Sequence, residues 1–194
     1  MQRFFITTTL IFLFHCNLFA GDWQVDKDGD NQVLFKSTTT LLDFEGTTKN
    51  IDGYLYWEGE NMLPAGTEFY LEVQPATFET GIGKRDSDMR SDVLETYDYP
   101  ISSFKGTLNK SDRDGNTYNV IASGMFDLHG VEKKMEIPVT ITQDGKKLKV
   151  KTEFSILLKD YNIEAPSLMA FVKVAQEITL EVKFELLETG NSKE

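Results

Sequence analysis

The stretch VKVAQEITLEVKFELL, residues 172–187, decides the fold, because apolar and polar residues alternate along it almost without a break. Ile178, Leu180, Val182 and Phe184 fall on one side of an extended chain, whereas glutamate, threonine and lysine fall on the other. This period of two residues is the pattern of a β-strand with one buried and one wet face. Strands of this kind pair antiparallel, because the strands of a parallel sheet are buried on both faces.

The same alternation recurs in three other segments: TEFYLEV (67–73), VEKKMEIPVTI (131–141) and KKLKVKTEFSI (146–156). Asp114-Gly115 and Asp144-Gly145 stand between alternating runs and predict tight hairpins. The chain shows almost no helical periodicity outside residues 78–100. Long strands in a meander leave an exposed edge unless the sheet closes, so we predict an all-β, up-and-down antiparallel barrel of about eight strands rather than a sandwich.

The N-terminus has the features of a secretory signal peptide. A basic start at Arg3 precedes an apolar run over residues 4–14 that is too short to span a membrane. Lipoprotein processing at Cys16 is the alternative, although His15 stands where that processing needs a small residue. We therefore expect a protein exported to the periplasm or secreted. The predicted boundaries are a signal peptide over 1–20, one domain over 21–188 and a loose tail over 189–194.

Composition narrows the range of functions. Cys16 is the single cysteine, so a chain without its signal peptide has no disulfide, zinc–thiolate site or thiol nucleophile. The formal net charge of −11 repels phosphate backbones and anionic headgroups, which argues against nucleic acid and peripheral membrane binding. The wet faces of the strands are charged, which argues against insertion into a membrane.

One charged stretch, FETGIGKRDSDMRSDVLETYDYP at residues 78–100, departs from the alternation. Its GIGK segment does not fit a phosphate-binding loop. Such a loop needs a glycine where Phe78 stands and a serine or threonine where Arg85 stands. No parallel strand-to-helix unit surrounds the segment either, so a dinucleotide-binding loop is equally unsupported.

Two further motifs have plain structural interpretations. DKDGDN, residues 26–31, resembles a calcium loop, but glycine is fourth rather than sixth and Ser37 occupies the twelfth position, so we predict a polar turn. His129 precedes Gly130 and is predicted to lie in a turn at a strand end. The sequence has no G-x-S-x-G motif, and most of its 31 acidic residues fall on wet strand faces. We therefore predict no catalytic residue, no metal site and no cofactor.

The aromatic content is high, with 14 Phe, 7 Tyr and 2 Trp in the whole chain. A packed core requires such residues, and so does the wall of an apolar cavity. Composition cannot separate these two interpretations.

A set of short motifs follows in a specific order along nearly the whole chain after residue 20. The motifs are Trp23-Gln24-Val25-Asp26, Phe44-Glu45-Gly46, Thr80-Gly81, Arg85-Asp86, Met89-Arg90-Ser91, Leu94, Tyr99-Pro100, Phe104, Ser123-Gly124, Asp127-Leu128-His129-Gly130-Val131, Lys133-Lys134 and Ala165-Pro166. This ordered set resembles the YceI-like family of exported lipid-binding proteins. Tyr161-Asn162-Ile163 departs from the family, which commonly has phenylalanine, glycine and isoleucine there.

The resemblance implies an extended, lipocalin-like barrel with a long apolar tunnel. Members of the family bind polyisoprenoid chains, including quinone precursors, or fatty amides in the periplasm. The charged stretch then corresponds to a short helical segment that packs on the barrel through Ile82, Met89 and Leu94. Its charges are expected to face water, and its Arg and Asp side chains to pair with one another and with local backbone.

The resulting prediction is non-enzymatic binding, transport or storage of a long polyisoprenoid or fatty-acyl lipid. Two alternatives stay open: an enzyme or accessory factor acting on an isoprenoid lipid, and a ligand-free, stress-related structural protein. The oligomeric state also stays open, a dimer included. The candidate lipid-binding residues, some of which fill an end of the barrel instead of lining the tunnel, are Phe44, Leu55, Trp57, Phe69, Leu71, Phe104, Val120, Phe126, Val139, Phe154, Phe171 and Ile178.

Overall fold

The computed structural model describes residues 20–38, 43–169 and 172–189, and most of them lie in strands. Residues 1–19 of the predicted signal peptide lie outside this part of the chain. The one α-helix in the described residues is α1, Gly83–Asp88. The strands are β1 (Ala20–Val25), β2 (Gln32–Ser37), β3 (Phe44–Thr48), β4 (Ile51–Glu58), β5 (Thr67–Val73), β6 (Ser102–Asp114), β7 (Thr117–Leu128), β8 (Val131–Asp144), β9 (Lys147–Leu157), β10 (Ser167–Met169), β11 (Val172–Lys173) and β12 (Glu177–Glu188).

Ten of these strands form one antiparallel sheet, in the order β1-β4-β5-β6-β7-β8-β9-β12-β2-β3. The sheet closes because β12 pairs with β1, placing Trp23 opposite Glu188. β1 pairs with residues 186–188 of β12 and β2 pairs with residues 179–183, so β1 and β2 lie end to end along β12. β4 pairs with β1 and β3 pairs with β2, so β4 and β3 also lie end to end. These four strands therefore occupy two strand positions in the barrel. The predicted closed antiparallel barrel of eight strands with one short helix is confirmed.

The break between β1 and β2 is a polar turn over residues 26–31, as the sequence predicts. Asn31 is buried and repairs the gap that this turn leaves beside β12. Its amide nitrogen donates to the Asp26 carbonyl at 2.7 Å, and its side-chain oxygen accepts the Glu185 N–H at 3.0 Å. The Asp26 carboxylate accepts a hydrogen bond from Lys147 at 2.9 Å. These hydrogen bonds join the turn to β9 and β12 and so continue the barrel wall between β1 and β2.

Three two-residue turns join β6 to β9. Gly115 and Gly145 have φ of 61° and 60°, a region that glycine adopts without strain, and each begins the turn that its Asp-Gly pair predicts. His129 and Gly130, with φ of 54° and 71°, form the turn between β7 and β8. The prediction that His129 is a turn residue is therefore confirmed.

Candidate functional site: the barrel cavity

A cavity of about 770 Å³ lies inside the barrel. Ligand pockets typically measure about 300–1,000 Å³, so this volume suits one ligand molecule. The inner face of each strand supplies apolar side chains to its wall because alternate residues point inward. On β9, for example, Val150, Phe154 and Ile156 line the cavity and span about 20 Å at about 3.3 Å per residue.

One end of the barrel is closed by packed side chains. Trp23 and Trp57 stack there with ring centroids 6.4 Å apart. Tyr118, Leu148 and Leu186 complete this closed end, and all five residues are buried and absent from the cavity wall. The cavity therefore begins above the closed end and extends toward the other rim of the barrel.

The structure brings together nine of the twelve candidate residues in the cavity wall. Trp57 and Val120 are buried in the core cluster at the closed end instead. Phe171 lies outside the described residues. A role in lipid contact stays a prediction for the nine that line the cavity, which are Phe44, Leu55, Phe69, Leu71, Phe104, Phe126, Val139, Phe154 and Ile178.

Aromatic rings form a connected row on one side of the cavity. The ring centroids of Phe69 and Phe104 lie 4.8 Å apart, those of Phe104 and Phe126 6.1 Å apart, and those of Phe126 and Phe154 5.9 Å apart. Tilted and edge-to-face contacts of this kind stabilise the rings beyond simple burial. Phe104 and Phe154 are only half-buried although they point inward, because their free faces meet the cavity.

The rim opposite the closed end is covered by residues 78–99, which we call the cap segment. It contains α1 and a turn of π-helix, Met89–Val93. The predicted packing residues Ile82, Met89 and Leu94 all line the cavity, and so does Val93, which sequence reasoning missed. The cap segment is therefore part of the cavity wall.

The charges of the cap segment divide into two groups. Lys84 and Asp88 face water, as predicted, and form an ion pair at 2.9 Å. Asp86 accepts a hydrogen bond from the Thr80 N–H at 2.8 Å, as predicted for local backbone, and another from the Thr80 hydroxyl, but it is buried and does not face water as expected. Arg85 donates to the Thr80 hydroxyl and carbonyl, both at 2.8 Å. Asp86 and Arg85 together fix the chain at the start of α1.

The far end of the cap segment is held by His129. Its Nε2 lies 2.9 Å from a Glu95 carboxylate oxygen, and its Nδ1 lies 3.2 Å from the Tyr161 carbonyl. Both ring nitrogens therefore face acceptor oxygens. The ring also packs against Tyr99, with centroids 4.1 Å apart. This arrangement gives His129 a structural role.

We expect the variant D86N to be destabilised at neutral pH by about 1–2 kcal/mol, because the hydrogen bonds to Asp86 lose their charge. Hydrogen bonds from Thr80, with Arg90 and Arg85 nearby, hold the pKa of Asp86 below its ordinary value of 3.8. A lowered folded-state pKa stabilises the fold above the unfolded-state value, and this contribution disappears as pH falls through the folded-state pKa. The difference in the free energy of unfolding between D86N and the parent should therefore be constant from pH 7 to 5 and shrink below pH 4.

Urea unfolding at each pH measures this difference in the free energy of unfolding. Asp88→Asn is the matched control, because the Asp88 side chain is 49% exposed and its ion pair with Lys84 contributes little. If D86N differed from the parent by the same free energy of unfolding at pH 7 and at pH 2.5, the proposed role of the ionised carboxylate would be contradicted.

The cavity, its closed end and the cap segment allow a comparison with known proteins. The sequence profile of the YceI-like domain matches residues 23–186. The chain belongs to the YceI-like family. The predicted resemblance is therefore confirmed. The search of curated proteins finds no match to the sequence.

Three solved structures illustrate how widely the YceI-like fold is shared. BcnA of Burkholderia cenocepacia has a TM-score of 0.68 at 20% identity, over 83% of this chain and 98% of its own. A polyisoprenoid-binding domain from Saccharophagus degradans, implicated in plant cell wall breakdown, has a TM-score of 0.67 at 17% identity. The match covers 86% of this chain and 98% of that domain. The YceI protein of Campylobacter jejuni has a TM-score of 0.56 at 17% identity, and the match covers 74% of this chain and 84% of that protein. At these identities the likeness shows a common fold.

Two further findings apply to the described residues of this YceI-like chain. No group of three or more His, Cys, Asp or Glu side chains within them is placed to hold a metal ion. Within the same ranges, no helix has the length and apolar character that a membrane crossing requires.

Proposed function

We propose that this YceI-like protein binds one long apolar lipid chain, polyisoprenoid or fatty-acyl, inside its barrel and acts as a non-enzymatic carrier or store. The observation that carries the proposal is the cavity of about 770 Å³, closed at one end and walled mainly by apolar side chains. The shared fold with the Saccharophagus degradans polyisoprenoid-binding domain supports an isoprenoid chain. The features of residues 1–20 support a site of action in the periplasm or outside the cell.

The free energy of binding comes from removing the chain from water. Each buried methylene contributes about 0.8 kcal/mol, so about five or six prenyl units provide tight binding even after the costs of ordering the chain. Length and width of the cavity select the chain. His129, the histidine of the described residues, is already engaged by Glu95 and Tyr161 and does not line the cavity, which supports binding rather than catalysis.

The charges beside the cavity favour an uncharged headgroup. Where the cap segment meets the cavity, the wall includes the cations Lys84 and Arg85 and the carboxylates Asp88 and Asp92. Lys84 is already paired with Asp88, and Arg85 donates two hydrogen bonds to Thr80. A phosphate group there meets carboxylates and cations that are already occupied, so an alcohol, amide or quinone headgroup fits better.

Native mass spectrometry with two competing probes tests this function. The protein is incubated with equal amounts of hexaprenol and hexaprenyl pyrophosphate, which share a chain and differ in headgroup. We expect one bound hexaprenol per chain, exceeding bound pyrophosphate by about tenfold or more, which corresponds to about 1.4 kcal/mol. Equal binding of the two probes would contradict the headgroup preference alone. A bare polypeptide mass with both probes, and with a fatty amide of similar length, would overturn the lipid-binding function.

A further inference from the structure

The barrel wall is incomplete along one line. β8 and β9 pair only from Val139 opposite Thr152 to Asp144 opposite Lys147. Beyond that point, residues 131–138 of β8 stay paired with β7, and residues 153–157 of β9 stay paired with β12, but not with each other. We call the gap between these two stretches the seam. It opens at mid-height and runs to the rim that carries the cap segment.

Pro138 gives the seam a physical cause. The Pro138 carbonyl accepts a hydrogen bond from the Thr152 hydroxyl at 2.7 Å, so this residue directs its backbone groups toward β9. Proline has no N–H, and the β8–β9 ladder therefore lacks a donor at the next step. The Thr152 side chain replaces one backbone bond at this fork, and the two strands separate beyond it.

Side chains close the seam instead of backbone hydrogen bonds. After β9 the chain turns through Leu158–Tyr161, and Tyr161 packs against Met135 of β8. The Tyr161 hydroxyl donates to the Met135 sulfur at 3.4 Å, which is a weak bond. Lys133 and Asp160 form a surface ion pair at 3.5 Å. Contacts of this kind separate at lower cost than a strand ladder.

The cavity lies directly behind the seam. Ile137 of β8 and Phe154 and Ile156 of β9 flank the seam and line the cavity. The alternative route out of the cavity is the rim, which the cap segment covers. Asp86, Arg85 and the contact between Glu95 and His129 hold the cap segment in place. Opening the seam separates packed side chains, one weak hydrogen bond and a surface ion pair, whereas lifting the cap segment also breaks hydrogen bonds to a buried carboxylate.

We propose that the seam is the lateral portal through which the apolar chain enters and leaves the cavity. This inference rests on the proposed lipid-binding function and adds its route. A prenyl chain reaches the cavity sideways as β8 and β9 separate further, while the cap segment stays in place. The ladders to β7 and β12 remain intact, so the barrel keeps its fold during exchange.

A disulfide across the seam tests the portal. Glu136 and Ser155 lie on the two sides of the seam, each three residues beyond the last paired residues, Val139 and Thr152. E136C/S155C is made in the full chain carrying C16S, loaded with radiolabelled hexaprenol and mixed with phosphatidylcholine vesicles. We expect oxidation to slow transfer to the vesicles by about tenfold or more, with reduction restoring the rate. T140C/K151C is the matched control, because these residues pair on the same strands below the fork.

A second variant covers the case in which the seam disulfide does not form. Met135 packs on Tyr161 but does not line the cavity, so M135A should raise the uptake and release rates of hexaprenol by a similar factor of about three or more and leave its affinity unchanged. V182A truncates a cavity-lining residue, and it should weaken affinity mainly through faster release. Unchanged exchange in oxidised E136C/S155C, or in M135A where no disulfide forms, would overturn the portal while binding persists. Loss of hexaprenol binding in the parent protein would instead overturn the lipid-binding function.

Discussion

Filling the cavity should abolish lipid binding. We expect V139W/V182W to retain less than about a tenth of the hexaprenol bound by the parent, because two indole rings occupy the space that the chain requires. Both positions line the cavity and are only half-buried, so the larger rings have room to enter it. The fold should persist, with a stability change of about 1–3 kcal/mol at most.

The matched control places the same two rings on the outside. T140W/K183W changes the neighbouring residues, whose side chains point away from the cavity, and it should bind hexaprenol like the parent. Native mass spectrometry measures occupancy, and circular dichroism checks the fold. Normal occupancy in V139W/V182W would mean that the lipid binds elsewhere on the protein.

Removing a side chain from the closed end should produce the largest loss of stability. Leu186 is 0% exposed and packs at the closed end, so L186A is expected to lower the free energy of unfolding by about 2–5 kcal/mol. Its neighbour Leu187 is 37% exposed on the outer face, and L187A should cost less than about 0.5 kcal/mol. Urea unfolding compares the two. Equal losses would contradict a packed closed end.

The sequence was informative wherever a residue's environment depends on strand alternation. The period of two in residues 177–187 places Ile178 and Leu180 inside and Glu181 outside, as the structure has them. The same period does not show how far along the barrel axis an inward residue lies. Leu55 and Trp57 are both inward residues of β4, yet the first lines the cavity and the second is packed in the closed end. This position along the axis depends on the register of all the strands, which local pattern does not contain.

Two other features depend on contacts that alternation does not describe. Asp86 is buried because Thr80, six residues earlier, turns back to meet it, so the charge density of the segment suggested exposure wrongly. The seam had a sequence signal in Pro138, which stands inside an alternating run. Proline in a strand predicts an edge or an interruption, but which neighbouring strand it faces becomes clear only from the Thr152 hydrogen bond.

The closure between β1 and β12 also governs how the chain acquires its structure. Trp23 pairs opposite Glu188, so the last contact of the barrel joins residues at opposite ends of the sequence. Closing so long a loop is entropically costly, and folds dominated by distant pairings form slowly, in milliseconds to seconds. The ring cannot close before β12 is in place between β9 and β1. Until then β1 and β9 each expose an unpaired edge, and such edges promote self-association.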